Sequence, residues 1–278
     1  MKKLLVHFHV YYHDQVDWFV QKLANITGVD YDMVVTMSRD NEETRAKLKR
    51  FKPKFVMVPN KGYDVGPFID VLNRTDLSKY DYILKLHTKR IAGINFKVGK
   101  YYYSGKWWRR ILVDALIGSK EMFRKNMKMF ERDGKLGMIG SRYLALSEKT
   151  SLIAKTEPEI YDYVGRGCEY VTCVCGTMFI VRAHLMAGIK RKYTLADFDD
   201  VEKHIRRGTF AHVMERLLGH AVTEQGYRID GFEDRSRRFE ASSVLSHIAR
   251  FFFVNKVTRR GRRIIKIFKI PVWYSKAK

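Results

Sequence analysis

The stretch FVMVPNKGYDVGPFIDVLNRTDLSKYDYILKLHTKR, residues 55–90, holds two apolar runs separated by a glycine-containing turn and a short helical pattern. The first run, Phe55–Pro59, predicts a strand. Asn60-Lys61-Gly62-Tyr63-Asp64, with Gly66 and Pro67, predicts the turn, and Phe68–Asn73 the helix. The second run, Tyr82–Leu86, predicts another strand that passes directly into His87-Thr88-Lys89-Arg90. Two apolar strands joined by a helical crossover of this length form a parallel βαβ unit. Ligands of open parallel sheets bind outside the carboxyl ends of the strands. Both polar clusters fall there, so the stretch predicts a site as well as a fold.

On its N-terminal side, apolar β-rich runs at Leu4–Tyr12 and Tyr31–Met37 alternate with helical patterns at Val16–Ile26 and Glu42–Arg50. Such alternation indicates an α/β sheet with helices on both faces. On its C-terminal side follow a Lys/Tyr/Gly-rich loop (91–105), helices over Lys106–Ile117 and Lys120–Arg132, and a strand at Leu136–Ile139. Residues 141–168 read as an irregular insertion. Tyr170–Arg182 reads as a strand pair, or one strand kinked at Gly176; Phe198–Leu218 as mostly helical, broken near Gly208; and Ala221–Ile229 as the last globular element. The expected division is one domain over 1–240 and a basic, aromatic tail over 241–278.

A chain of 278 residues with 46% hydrophobic and 13% aromatic side chains can bury a full core, which excludes global disorder. No apolar run reaches the roughly 20 residues that span a bilayer. The opening MKKLLVHFHVYYHD carries the lysines of a secretory leader. Histidines interrupt its apolar part and no small-residue cleavage site follows, so it reads as the first strand of a cytoplasmic chain. Three cysteines, Cys168, Cys173 and Cys175, exclude a disulfide scaffold and lack the spacing of a zinc site. The net charge of +23 is concentrated: residues 250–278 hold ten Lys or Arg and no acid. Interleaved Phe, Ile, Val, Trp and Tyr suit an anionic membrane interface. A solvated basic tail or a nucleic-acid patch is the alternative reading.

The chain has no G-x-G-x-x-G after its first strand, no G-K-[ST] phosphate loop, no G-x-S-x-G elbow and no H-E-x-x-H helix. Four ordered motifs are present instead: NKGYDVGPF (60–68), YDYILKLHTK (80–89), CGTMFIVRA (175–183) and GTFAHVMER (208–216), preceded by VHFHVYY (6–12). Together they resemble the rhamnan synthesis protein F family, bacterial glycosyltransferases of rhamnan, O-antigen and related polysaccharides, over about residues 4–230. The resemblance implies a GT-A-like nucleotide-sugar-binding fold with a mostly parallel sheet. It also implies transfer of a sugar, rhamnose by family, from a nucleoside-diphosphate donor to a lipid-linked cell-surface glycan. The implied partners are the donor, the lipid-linked acceptor, an anionic membrane surface and other polysaccharide-assembly glycosyltransferases, with no nucleic acid. The implied location is peripheral, on the inner face of the bacterial membrane.

Many GT-A enzymes hold a divalent metal with Asp-x-Asp at a strand end. Here His87-Thr88-Lys89 stands in that place. A diphosphate leaving group can be stabilised by a metal or by fixed cations, so a metal-independent enzyme is the expectation, with a divalent metal at His87 and Asp64 as the open alternative. With the resemblance, the donor-side candidates are His9, Asn60, Gly62, Asp64, Gly66, His87, Lys89 and Arg90. Asp64 also fits an ordinary helix-cap aspartate, and His9 a core histidine. His212 and Glu215 share a helix face and are the candidates for the base that deprotonates the acceptor. Asp199, Asp200 and Glu202 form the rival acidic cluster. Gly176, Thr177 and Arg216 are expected on the acceptor side. Trp107 and Trp108 fit either sugar stacking or core.

Overall fold

A computed structural model describes residues 2–93, 95–201, 209–231, 235–257, 262–268 and 270–276. The chain forms two compact units, one of residues 1–90 with 109–233 and the other of 91–108 with 234–278. The second unit thus combines the stretch read as a loop with the C-terminal residues.

In the first unit, β1 (Lys3–Val10), α1 (Val16–Leu23), β2 (Asp30–Met37), α2 (Glu42–Leu48), β3 (Lys54–Met57), α3 (Val65–Arg74) and β4 (Tyr82–His87) follow the predicted alternation. β1 pairs in parallel with β2 and β4, and β2 in parallel with β3, so all four share one direction. The strands at either end of residues 55–90 are therefore parallel, as expected, though β2 and β1 lie between them. Three boundaries differ from the sequence reading. α3 begins at Val65, because Pro67 falls in its first turn, where its missing N–H costs nothing. β3 ends before Pro59, which has no donor for a ladder. His87 closes β4 and is buried, instead of lying beyond the strand.

In the second unit, β5 (Asn95–Val98) and β6 (Tyr101–Ser104) form a hairpin. α4 (Gly105–Ile117) belongs to the first unit from Arg109 onward. α5 (Lys120–Arg132), β7 (Leu136–Ile139), β8 (Ala145–Lys149), α6 (Thr150–Ile153), α7 (Ile160–Val164), β9 (Tyr170–Val174) and β10 (Phe179–Arg182) return to the first unit. The supposed insertion is thus structured: β8 pairs with β9 in a small antiparallel sheet. Tyr170–Arg182 is two strands in two sheets, because β10 joins β4 and β7 and runs opposite to both. α8 (Phe210–Thr223) and β11 (Arg228–Asp230) complete a seven-stranded sheet of order β11-β7-β10-β4-β1-β2-β3, in which only β10 is antiparallel. The expected mostly parallel α/β architecture flanked by helices is the one observed. Within the stretch read as helical over Phe198–Leu218, α8 begins at Phe210; residues 202–208, with Glu202 and Gly208, lie outside the described residues. Val65, Phe68, Ile69 and Leu72 of α3 and Leu217 and Leu218 of α8 enter one core with Leu5 and Ile83 of the sheet.

The rest of the second unit is α9 (Arg237–Phe252) followed by β12 (Phe253–Val257), β13 (Arg262–Ile267) and β14 (Ile270–Lys276), a three-stranded antiparallel sheet. The residues read as a tail are therefore a helix and a sheet. Phe239 is its buried centre, with ring centroids 4.9 Å from Tyr103 and 5.6 Å from Trp107, while Trp108 packs on Phe96 at 4.3 Å. Both tryptophans are partly buried in these aromatic contacts.

Candidate functional site

Side chains alternate across a strand, so every second residue shares a face. The β1–β4 register sets His7 opposite Lys85 and His9 opposite His87, and β2 sets Thr36 opposite His9. One sheet face therefore carries a buried polar row beneath α3. Thr36 Oγ1 lies 2.9 Å from His7 Nε2 and 3.0 Å from His9 Nδ1, and the His7 ring stacks on Phe68 at 5.6 Å. His9 is thus bound into the core, the second of its two readings.

Lys85 is the centre of the row and is fully buried. Its ammonium has three donors and meets three acceptors: Asp64 Oδ2 at 2.5 Å, Thr177 O at 2.9 Å and Thr177 Oγ1 at 3.0 Å. The Thr177 hydroxyl in turn donates to Asp64. Asp64 occupies the N-cap position of α3 but makes no side-chain cap bond; its carboxylate is turned inward to this pair instead. Burial opposes its ionisation, yet His87, Lys85 and Lys89 hold the carboxyl well below the usual carboxylate range. Burial also pulls the Lys85 ammonium below its ordinary value, with Asp64 working the other way.

His87 Nε2 lies 2.9 Å from Gly176 O and 3.4 Å from Asp64 Oδ2, and Nδ1 lies 2.9 Å from Thr88 O. All three neighbours are acceptors. A neutral imidazole has one N–H to offer them, an imidazolium two. Burial holds its pKa at about 3 and that of His9 at about 4, while Asp64 pulls both upward. His7 is likewise held well below its usual value by burial. His7 and His9 stay neutral in the fold but protonate in the unfolded chain below about pH 6.5. Folded-state stability should therefore fall as pH drops from 6.5 towards 4, by up to about 1.4 kcal/mol per pH unit for each histidine. Melting curves at pH 7 and 5 check this, and His9→Gln should flatten the slope.

Lys89 is half-buried at the strand end, its peptide clamped by the Gln15 amide: Gln15 Nε2 donates to Lys89 O at 2.7 Å, and Lys89 N donates to Gln15 Oε1 at 3.3 Å. Burial lowers its pKa, while Asp64 and Glu215 oppose the shift. Arg90 is exposed.

The loop before α3 is held from the side by residues 199–201. Gly62 N donates to Asp199 O at 3.1 Å and Val201 N to Asn60 O at 3.1 Å, with Lys61 Nζ 3.9 Å from Asp200 Oδ1. Gly62 has φ +64°, and a Cβ there would lie 2.4 Å from the Phe198 ring; one on Gly66 would lie 2.3 Å from Lys61 O. The two glycines are thus required by the protein's own packing. The acidic residues Asp199 and Asp200 act here as loop clamps.

Two groups of α8 reach the same region. Glu215 Oε1 accepts from Gly176 N, so Glu215 and His87 hold the two polar groups of one glycine peptide pair at the turn 175–177. That turn places Gly176 at φ +89° and Thr177 at φ +50°. His212 Nδ1 lies 2.7 Å from Thr209 Oγ1, and its ring meets Tyr63 edge-on at 6.1 Å. Asp64, His87, Glu215 and His212 therefore converge around residues 62–64 and 175–177. Arg216, the next residue of α8, donates to His212 O at 3.0 Å and faces Glu157 at 3.1 Å and Glu148 at 3.6 Å. A cavity of about 670 Å³ lies elsewhere, among residues such as Tyr31, Arg50, Lys54 and Tyr80, and touches none of these groups.

Sequence reasoning missed Lys85, Thr36 and Gln15. Lys85 had a signal: a lysine within the run YILKLH of a buried strand is costly unless paired. Among the described residues, no group of three or more His, Cys, Asp or Glu is arranged to hold a metal. Asp64, whose Oδ2 lies 3.4 Å from His87 Nε2, is already matched by the Lys85 ammonium, so a divalent ion beside it would meet a fixed cation.

The profile of rhamnan synthesis protein F matches residues 1–227. Two curated relatives, the uncharacterized protein WxcX of Xanthomonas campestris pv. campestris strains B100 and ATCC 33913, are each 24% identical over 241 residues. The match takes in 81% of the chain but 32% of the relative, so the chain spans about a third of their length. Similar solved structures include a 4-diphosphocytidyl-2C-methyl-D-erythritol synthase (12% identity, TM-score 0.40, covering 89% of this chain and 98% of that one). Another is the glucosyl-3-phosphoglycerate synthase of Mycobacterium tuberculosis with Mn2+, UDP and product (9%, TM-score 0.38, 98% and 89%). A third is the mannosyltransferase PcManGT of Pyrobaculum calidifontis with GDP-Man and Mn2+ (12%, TM-score 0.35, 88% and 63%).

Proposed function

The chain belongs to the rhamnan synthesis protein F family, and on that premise we propose that it is a glycosyltransferase of bacterial cell-surface polysaccharide assembly. It takes a sugar, rhamnose by family, from a nucleoside-diphosphate donor and gives it to a lipid-linked glycan at the inner face of the membrane. The observation that carries this reading is the convergence of Asp64, Lys85, His87 and Glu215 on the turn 175–177, at the carboxyl ends of β1 and β4.

In the proposed step, an acceptor hydroxyl oxygen bonds to the anomeric carbon and its proton passes to Glu215. The bond from that carbon to the donor phosphate breaks, and the electron pair leaves with the nucleoside diphosphate. Glu215 has one oxygen committed to Gly176 N, which fixes its rotamer and leaves the other to act as base. Lys89 and Arg90 supply cationic charge at the strand edge for the departing diphosphate. Asp64, locked by Lys85 and Thr177, is placed to accept hydrogen bonds from sugar hydroxyls. Because fixed cations fill the role of a metal, transfer from a labelled nucleoside-diphosphate-rhamnose should proceed equally with and without EDTA. Complete loss of turnover in EDTA, restored by Mn2+ or Mg2+, would overturn the assignment of the cations.

A further inference from the structure

α9 has two faces. Phe239 and Ser243, four residues apart, are buried in the second unit, where Phe239 packs on Tyr101, Tyr103 and Trp107 and Ser243 accepts from Tyr102 N at 2.8 Å. On the opposite side, Val244, Leu245, Ile248, Phe251 and Phe252 follow the spacing i, i+1, i+4, i+7, i+8 of a single helical stripe. These five are 46–65% exposed. Phe268, in the turn between β13 and β14, meets Phe251 at 6.2 Å and Phe252 at 5.2 Å, and it too is exposed, as are Ile267 and Ile270 beside it. The stripe and the turn make one contiguous apolar patch, with Val272 and Trp273 exposed on the strand that follows. Contiguous exposed apolar surface of this kind marks an interaction site.

The charge of the same unit identifies the occupant. Its 63 residues carry sixteen Lys or Arg against two acids, a net +14, whereas the 215 residues of the first unit carry +9. We propose that this face of the second unit docks on an anionic lipid surface, with the α9 stripe and the Phe251–Phe252–Phe268 cluster entering the headgroup boundary. Amphipathic helices bind membranes through this combination of apolar stripe and flanking cations. A nucleic acid would satisfy the cations but leave Leu245 and Ile248 in water, so it explains half of the observations. No helix among the described residues is long and apolar enough to cross a membrane. The inference rests on the lipid-linked-acceptor reading above and deepens it, since it names the surface that brings the chain to such an acceptor.

Vesicle flotation of the full chain, without donor or acceptor, tests it. The wild-type chain should float with vesicles containing phosphatidylglycerol and not with pure phosphatidylcholine, and its tryptophan emission should shift to the blue. The variant Leu245→Ser/Ile248→Ser/Phe252→Ser, which leaves the Phe239 face intact, should lose at least about ten-fold in bound fraction. Circular dichroism and nucleoside-diphosphate binding should stay unchanged in it. Flotation of the triple variant equal to wild type would overturn the inference. So would a wild-type chain that stays unbound, whether it dimerises through this face or binds single-stranded RNA instead. Loss of donor binding with flotation intact would count against the proposed function and not against the docking face.

Discussion

Lys85→Met is expected to be the most damaging single substitution in the site. The Lys85 ammonium is fully buried and gives all three donors to Asp64 and Thr177. Removing one partner of a buried ion pair leaves the other uncompensated, which typically costs about 3–5 kcal/mol. Asp64 keeps the Thr177 hydroxyl and a thin window to solvent, so the lower end of that range is expected. For a unit of this size the melting temperature should fall by roughly 6–12 °C, and sugar transfer should be lost with it. The double variant Asp64→Asn/Lys85→Met removes both charges. It should recover part of the stability, because a buried pair is worth little against a neutral replacement of similar shape. Transfer should not return. A Lys85→Met protein as stable as wild type would mean that the pair is not buried as described.

Glu215→Gln should act on chemistry alone. The glutamine oxygen can still accept from Gly176 N, so the turn 175–177 and the melting temperature should be preserved. A base that takes the acceptor proton contributes on the order of 10²–10⁴-fold. Turnover should fall by that factor while KM for the donor stays near wild type, the signature of an interaction made only in the transition state. Glu215→Ala should lose turnover and also loosen the turn, visible as faster hydrogen exchange at Gly176 and Thr177. A Glu215→Gln enzyme with wild-type turnover would pass the base assignment to His212, whose ring meets Tyr63 edge-on.

The parallel strands were legible because β1, β2 and β4 are apolar runs broken by helical periodicity, a signal that survives without any partner in view. The two glycines of the 60–66 turn were legible as special positions, and Gly62 has the positive φ expected of a turn glycine, but the packing around them was not legible. Phe198 and the Lys61 carbonyl, which exclude a Cβ, lie far off in the chain or belong to backbone geometry. Asp64 looked like a cap because its sequence position is a cap position; only the fold shows its carboxylate turned to Lys85. For Arg216 the helical spacing showed its place beside His212, while its partners Glu157 and Glu148 come from a region that read as irregular. The second unit was hidden because residues 91–108 and 234–278 are apart in sequence and meet only through Phe239 and its aromatic neighbours.

The central claim is that the donor sits where residues 62–64, 87–90 and 175–177 converge. Hydrogen exchange of the full chain with and without saturating nucleoside diphosphate tests it most directly. Slowed exchange at 60–66, 87–90 and 175–178 is the predicted result. Protection confined to 31–33, 50–54 and 74–80, around the cavity away from these residues, would contradict it.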